Sequence, residues 1–128
     1  MSALSDYAEN KLLDHLLGTA AFTAPSAVYV GLAPQSFTDA GSSVELTGNN
    51  YARKAITFGS ASSGATDNTS AVEFNAATGS WGSVSHFGIF DQSSGGNLLV
   101  HGAFTTAKTI ASGDVLKIDA GDLDITAD

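Results

Sequence analysis

The chain has no cysteine, so neither a disulfide nor a zinc–thiolate site can contribute to its stability. It also has no apolar run of about 18 residues, the length that a membrane-spanning helix needs, and we expect no membrane span. The first residues lack the cationic and apolar regions of a signal peptide, which predicts synthesis in a cytoplasm without an export signal. A length of 128 residues fits one domain, and we predict a single domain over residues 1–128.

Charged residues are scarce, at 14% of the chain, where about a quarter is typical. The few that occur are mostly acidic, with 13 Asp and Glu against 5 Lys and Arg and a formal net charge of −8. This field repels phosphate backbones and anionic lipid surfaces, so we expect no nucleic-acid partner and no membrane surface partner. Small, weakly charged side chains suit faces that are buried against neighbouring proteins, and they equally suit a plain sandwich with a low-charge surface.

One amphipathic helix is predicted near the N-terminus, over residues 4–17. Ser5 is suited to cap its first turn, and Gly18 is suited to end it in a left-handed conformation. Its apolar stripe has helical spacing and consists of Ala8, Leu12, Leu13, Leu16 and Leu17. We expect this stripe to pack on the sheet of its own domain, and contact with a neighbouring subunit is the alternative.

The remainder of the chain reads as short strands separated by turn residues about every ten positions. The runs 84–90 and 98–104 are apolar on both faces, which predicts two central strands joined by a hairpin loop at 91–97. Residues 59–70 are rich in Gly and Ser and predict a flexible loop. We therefore predict a mainly β fold, an antiparallel sandwich or jelly-roll-like barrel of seven or eight short strands over residues 27–128.

The sequence carries no recognisable reactive constellation. It has neither a nucleophile elbow nor a zinc-protease motif. If Phe90 pairs near Leu98, His86 and His101 fall at one height on opposite faces of the sheet, where they could not share a metal. His15 reads as a helix surface residue. We expect no catalytic residue, no metal site and no cofactor.

Five aspartates near the end of the chain raise the question of a calcium site: Asp114, Asp119, Asp122, Asp124 and Asp128. Along 122–125, however, acidic and apolar residues alternate. This pattern predicts a strand with Leu123 and Ile125 inward and its carboxylates in water, where they discourage pairing with foreign strands.

The sequence around Arg53, Lys54 and Trp81 predicts structural roles for these side chains. Arg53 and Lys54 are adjacent and point to opposite sides of a predicted strand, and we expect one of them to form an ion pair within the fold or across a subunit contact. Trp81 stands between glycines, which favours a plug over the end of a sandwich rather than a surface for a ligand.

Five segments resemble a family of small virion proteins of tailed bacteriophages, usually labelled tail fibre or minor tail proteins. They are residues 4–18 (LSDYAENKLLDHLLG), 51–53 (YAR), 81–91 (WGSVSHFGIFD), 95–99 (GGNLL) and 121–125 (GDLDI). The resemblance runs nearly end to end, and the segment that begins with the tryptophan is its most specific part. It implies a location in the virion and a structural role, and it brings no catalytic residues. Small β proteins of this kind also serve as capsid decoration (cement) proteins.

The expected function is therefore that of a structural, non-enzymatic virion protein on the outside of a phage particle, in the tail or as capsid decoration. It would form a homo-oligomer and pack against other virion proteins by burying complementary, low-charge surface. The expected contact elements are the loops at 35–50, 59–70 and 91–97.

Two other functions stay open at this point. The first is a module that binds a host-surface glycan, for which Tyr29, Tyr51 and Trp81 would offer stacking faces. The second is a hydrolase with a dispersed site, which no motif of the sequence supports.

Overall fold

The computed structural model describes residues 2–41 and 44–127. This part of the chain contains one helix and nine strands, all antiparallel where they pair. In chain order they are β1 (Ser2–Leu4), α1 (Asp6–Leu16), β2 (Val28–Ala33), β3 (Lys54–Ile56), β4 (Ala65–Asp67), β5 (Val72–Glu73), β6 (Gly82–Phe90), β7 (Leu98–Ile110), β8 (Lys117–Ile118) and β9 (Asp124–Thr126). The prediction of a mainly β, antiparallel fold with one N-terminal helix is confirmed.

Five strands form the main sheet in the order β1-β7-β6-β2-β3, and two small sheets pair β4 with β9 and β5 with β8. The long strands β6 and β7 lie in its interior and are joined by the predicted hairpin, with Phe90 opposite Leu98. Each contributes residues to the core, which is why the sequence is apolar in both runs. The prediction of two central strands is confirmed.

Two strands lie where none was predicted, which raises the count above seven or eight. β1 precedes the helix and pairs with β7, with Leu4 opposite Val100. β4 lies inside the segment 59–70, where a flexible loop was predicted, and pairs with β9. Both strands are too short to show a period, and their partners lie far away along the chain. Local sequence pattern therefore misses them.

The main core lies between one face of the large sheet and the two small sheets. The large sheet contributes Val30 and Leu32 from β2 and Phe87 and Ile89 from β6. The opposing residues include Val72, Phe74, Leu116, Ile118 and Leu123. Each buried side chain of this size contributes about 1.5–3 kcal/mol relative to exposure, so this layer dominates the stability. A smaller cluster covers the other face and consists of Ala33, Phe37, Phe90 and Leu98, with Val44 packed against it.

Trp81 belongs to the main core, with 6% of its surface exposed. Its indole Nε1 donates a hydrogen bond of 2.9 Å to the carbonyl of Asn49, and its ring meets Tyr51 edge-on at 5.5 Å between centroids. The interpretation of Trp81 as a packing residue is therefore confirmed.

Helix α1 is shorter than the predicted 4–17, because Leu4 belongs to β1 and Leu17 caps the helix, but it begins and ends at the predicted signals. The Ser5 hydroxyl caps it by accepting a 3.2 Å hydrogen bond from the Ala8 amide, and it also donates to the carbonyl of Leu98. Gly18 follows the helix with φ of 77°, a left-handed value that glycine adopts without strain. Within the described residues, no helix is long and apolar enough to cross a membrane.

The expectation that the leucine stripe packs on the sheet of its own domain is wrong for most of the stripe. No residue of α1 is buried. The exposed fractions are 41% for Leu12, 55% for Leu13, 67% for Leu16 and 76% for Leu17. The helix contacts β7 and β1. Leu13, Leu16 and Leu17 nevertheless stay more than half exposed, so no part of the chain that the structure describes covers them.

Candidate interaction surface

The most unusual surface of the protein is the exposed side of α1. Leu12, Leu13, Leu16 and Leu17 form a continuous apolar patch there, which we call the leucine surface. Isolated exposed leucines are ordinary on a soluble protein, whereas a contiguous group is less common and makes this part of the protein a candidate interaction surface.

A shallow groove of about 210 Å³ runs beside the leucine surface, between α1 and the edge of the main sheet. Its lining is almost entirely apolar and consists of Leu4, Ala8, Leu12, His15, Phe22, Leu99 and Val100. The chain that leaves the helix closes one end, because the Phe22 amide donates a 3.1 Å hydrogen bond to Nδ1 of His15. His15 thus holds a turn, which the sequence did not indicate.

Three carboxylates lie at the other end of the helix. Oxygen atoms of Asp6, Glu9 and Asp39 lie within 4.8 Å of one another, and all three residues are exposed. Asp6 and Glu9 occupy the first turn, where the helix dipole stabilises negative charge. Asp39 comes from the loop after β2 and is held by two bonds: its carbonyl accepts from the Asp6 amide at 3.0 Å, and its Oδ1 accepts from Nε2 of His101 at 2.6 Å.

This acidic cluster is the one group of metal-ligating type found among residues 2–41 and 44–127, and its three residues are exposed. The sequence did not indicate it, because Asp39 reaches the helix only through the tertiary fold. The cluster places three carboxylates at the N-terminal end of the helix.

The prediction that His86 and His101 lie on opposite faces is wrong. Phe90 pairs with Leu98 as expected, but Ile89 pairs with Val100, so a bulge at Leu99 shifts the register by one residue. His101 then lies opposite Gly88 and His86 opposite Ala103, which puts both histidines on one face. Their partners differ, because His86 bonds to Ser85 at 2.7 Å and His101 bonds to Asp39.

Arg53 forms the expected ion pair inside the fold. Its Nε and Nη2 atoms bind both carboxylate oxygens of Glu45, at 2.9 and 2.8 Å. Its Nη1 atom donates to the carbonyls of Gln92 and Gly95 in the hairpin loop. Lys54 points the other way and binds Asn75 at 2.6 Å. The guanidinium of Arg53 thus binds both of the predicted contact loops at 35–50 and 91–97.

Tyr51 completes this network. Its hydroxyl donates to Glu45 at 2.6 Å and accepts from the Leu32 amide at 2.8 Å. Burial raises the pKa of Tyr51 above its ordinary value of 10.0, and the hydrogen bond to Glu45 and the charge of that carboxylate raise it further. Tyr51 is therefore a protonated structural donor.

The aromatic residues suggested as glycan-stacking faces do not form a common platform. Trp81 is buried, and Tyr51 is half-buried and stacked on Phe74 at 6.4 Å between centroids. Tyr29 is half-buried in β2, opposite Phe90 and Ala55. The suggestion that Trp81 offers a stacking face is wrong.

The acidic strand near the end of the chain has the predicted orientation. Leu123 is buried and Ile125 is half-buried, while Asp122 and Asp124 are exposed. Asp124 lies directly opposite Asp67 of β4. The strand is thus a solvated edge that closes the small sheet.

A protein-family model described as podophage GP4 fiber I protein gp80 matches residues 3–126. No curated protein matches the chain. The matched region includes α1, the acidic cluster and the strands up to the end of β9, so it covers both the fold and the surface described above.

Proposed function

The chain belongs to the family of podophage GP4 fiber I protein gp80, and from this premise we propose that it is held in the virion by burying its exposed apolar surface against other virion proteins. Membership confirms the resemblance to phage tail-fibre proteins, and it supports a structural component of a tailed-phage virion. The family is one of fibre proteins, not of enzymes.

The observation that carries the proposal is the leucine surface. Three leucines of α1 and the leucine that caps it, Leu17, are 41% to 76% exposed, although the chain has a well-packed core elsewhere. Exposing this surface in solution is unfavourable by about 25 cal/mol for each Å² of apolar area, and docking recovers that free energy. A protein that works by assembly gains from this arrangement, whereas the described residues offer no comparable cleft with converging reactive groups.

Within the virion we propose the tail rather than the capsid surface, because the family description names a fibre. The proposal is tested by quantitative mass spectrometry of purified particles. We expect the chain to be present at a copy number far below that of the major capsid protein. A copy number comparable to the capsid protein would indicate a decoration protein, and particles without the chain would refute a virion role.

We further propose that the chain works as one domain and forms a homo-oligomer through its β-rich part. One core includes residues from Val30 to Leu123, which supports a single domain. In the described sheet, β1 pairs with β7 only as far as Gly102, whereas β7 continues to Ile110. On the side of β1, the rest of β7 therefore has no partner strand in this sheet. An edge whose backbone N–H and C=O groups lack a partner strand is a template for a second strand. Sedimentation of the wild type and of Ala107→Lys tests this, and an unchanged oligomer would contradict the use of this edge.

A further inference from the structure

We propose that the leucine surface and the acidic cluster together form a docking surface for a segment of a different virion protein, one that carries apolar and cationic side chains. This inference rests on the proposed function and names the chemistry of the partner. It does not depend on the oligomeric state of the chain, for which a separate edge was proposed.

The two features lie on one stripe of the helix. Asp6, Glu9, Leu13 and Leu16 follow one another at steps of three, four and three residues, so they share a face of α1. Leu17, the residue that caps the helix, lies four residues after Leu13. The stripe is acidic over its first turn and apolar over its last two. Asp39 adds a third carboxylate at the acidic end. A partner that covers the whole stripe must therefore bury or neutralise at least two carboxylates.

A second copy of this chain is a poor occupant. In a parallel arrangement of helices, the acidic ends of two copies would meet, and like charges would repel. In an antiparallel arrangement, Asp6 and Glu9 would face Leu16 and Leu17 of the other copy, which offer no cation. Burying an unpaired carboxylate is strongly unfavourable.

The cations of the chain do not change this result, because most of them are engaged. Arg53 binds Glu45 within the fold, and Lys54 binds Asn75. Lys117 lies 3.7 Å from Asp119, and Lys11 lies 5.8 Å from the centre of the Tyr7 ring on its own helix. Lys108 lies on β7, far from α1 along the strand. Apart from His101, which binds Asp39 at 2.6 Å, complementary charge for the cluster therefore has to come from another protein.

The groove beside the helix fits the same type of partner. It is apolar, has a volume of about 210 Å³ and shares Leu12 with the leucine surface. A partner helix or extended segment with two or three apolar side chains could place one in this groove and the others on the leucine surface. Its Lys or Arg residues would then lie beside Asp6, Glu9 and Asp39.

The test uses the full chain and two synthetic helical peptides with the same leucine face. One peptide carries lysine on its polar face and the other carries glutamate. Binding is measured by titration, and the contact is mapped by amide chemical shifts. We expect the leucine–lysine peptide to bind at α1, to weaken as salt is added, and to bind much more tightly than the leucine–glutamate peptide.

Variants separate the two parts of the surface. Leu13→Ser with Leu16→Ser should weaken the leucine–lysine peptide by about tenfold or more. Asp6→Asn with Glu9→Gln should also weaken it, and mainly at low salt. The matched control is Asp122→Asn with Asp124→Asn, which makes the same change of charge on the small sheet and should leave binding unchanged. Circular dichroism verifies that α1 persists in each variant.

Several results would overturn the inference. Equal binding of both peptides, or the same loss from the control, would show that the acidic cluster is not part of a specific surface. Dissolution of a homo-oligomer by Leu13→Ser with Leu16→Ser would make a second copy the occupant. Binding of the chain to phosphatidylcholine vesicles through these leucines would make lipid the occupant.

The outcome is distinguishable from that of the proposed function. Particles that lack the chain would refute the virion role and leave the peptide result unaffected. Particles that incorporate the leucine variant as efficiently as the wild type would refute the docking surface and the burial of the leucines, and would leave the location in the virion intact.

Discussion

The guanidinium carbon of Arg53 lies 3.5 Å from the centre of the Phe90 ring. The same group binds Glu45 with two nitrogens and the hairpin loop with the third. Phe90 is buried at the end of β6, so this stacking joins the loop network to the second core cluster. A planar guanidinium suits this position, because it can stack on the ring and bind a carboxylate with two nitrogens at once.

Replacing Arg53 with methionine should destabilise the fold by about 3 kcal/mol or more, because Glu45 would be left largely buried without its partner. Chemical denaturation measures the free energy of unfolding. Lys117→Met is the control, since its pair with Asp119 is exposed and should contribute at most about 1 kcal/mol. Equal losses in the two variants would contradict a structural role for the Arg53 network.

Tyr51 should make the stability fall at alkaline pH. Its pKa is raised in the folded state, so the folded chain holds the phenolic proton more tightly than the unfolded chain does. This contribution is fully present below pH 10.0, the ordinary pKa, and decreases as the pH rises above it. Unfolding free energies at pH 7 and above pH 10 should differ more in the wild type than in Tyr51→Phe.

The Tyr51→Phe variant should also lose about 1–3 kcal/mol at neutral pH, because the Leu32 amide and the Glu45 carboxylate each lose a hydrogen-bond partner. A variant that is as stable as the wild type at neutral pH, with the same alkaline decrease, would contradict this description of the hydroxyl.

Asp124 and Asp67 face each other across β9 and β4, and like charges in this position destabilise a sheet. Asp124→Lys should therefore raise the free energy of unfolding by about 0.2–1 kcal/mol. The gain should shrink when salt is added, since both positions are exposed. Asp122→Lys is the comparison, because Asp122 has no carboxylate opposite it in the β4–β9 pairing. It should raise the free energy of unfolding by less. If both lysine variants gave the same increase, only net charge would be involved.

Gly88 lies where the second core cluster meets β6. A Cβ atom there would lie 2.9 Å from Leu98 and 3.1 Å from Phe37 and from Phe90. Gly88→Ala should overpack this cluster and lower the stability by about 1–3 kcal/mol. At Gly59 the nearest contact of a Cβ would be an ordinary 3.5 Å, so Gly59→Ala should be nearly neutral. Thermal unfolding of both variants tests the close packing at Gly88.

Several features of this fold could be predicted from the sequence because their causes are local. The Ser5 cap, the glycine at position 18 and the inward Leu123 each follow from neighbouring residues. The pairing of Phe90 with Leu98 follows from the short turn between two apolar runs. In these places, local preference and tertiary packing agree.

The features that could not be predicted from the sequence depend on residues far apart along the chain. β1 and β4 are strands only because β7 and β9 pair with them from far along the chain. The bulge at Leu99 has no glycine to mark it, yet one extra residue moves His101 to the face of His86. The leucine stripe of α1 shows that the helix is amphipathic, but its pattern is the same whether its own sheet or another protein covers it.

The central claim is that the leucine surface is exposed in the free chain and covered in the virion. Hydroxyl-radical footprinting of the free chain and of purified particles tests it, with oxidation of Leu12, Leu13, Leu16 and Leu17 measured by mass spectrometry. We predict strong labelling of these residues in the free chain and protection in the particle. Val115 is also exposed, and its labelling in the free chain is the reference against which labelling of the leucines is judged. Equal labelling of the four leucines in both samples would contradict the account.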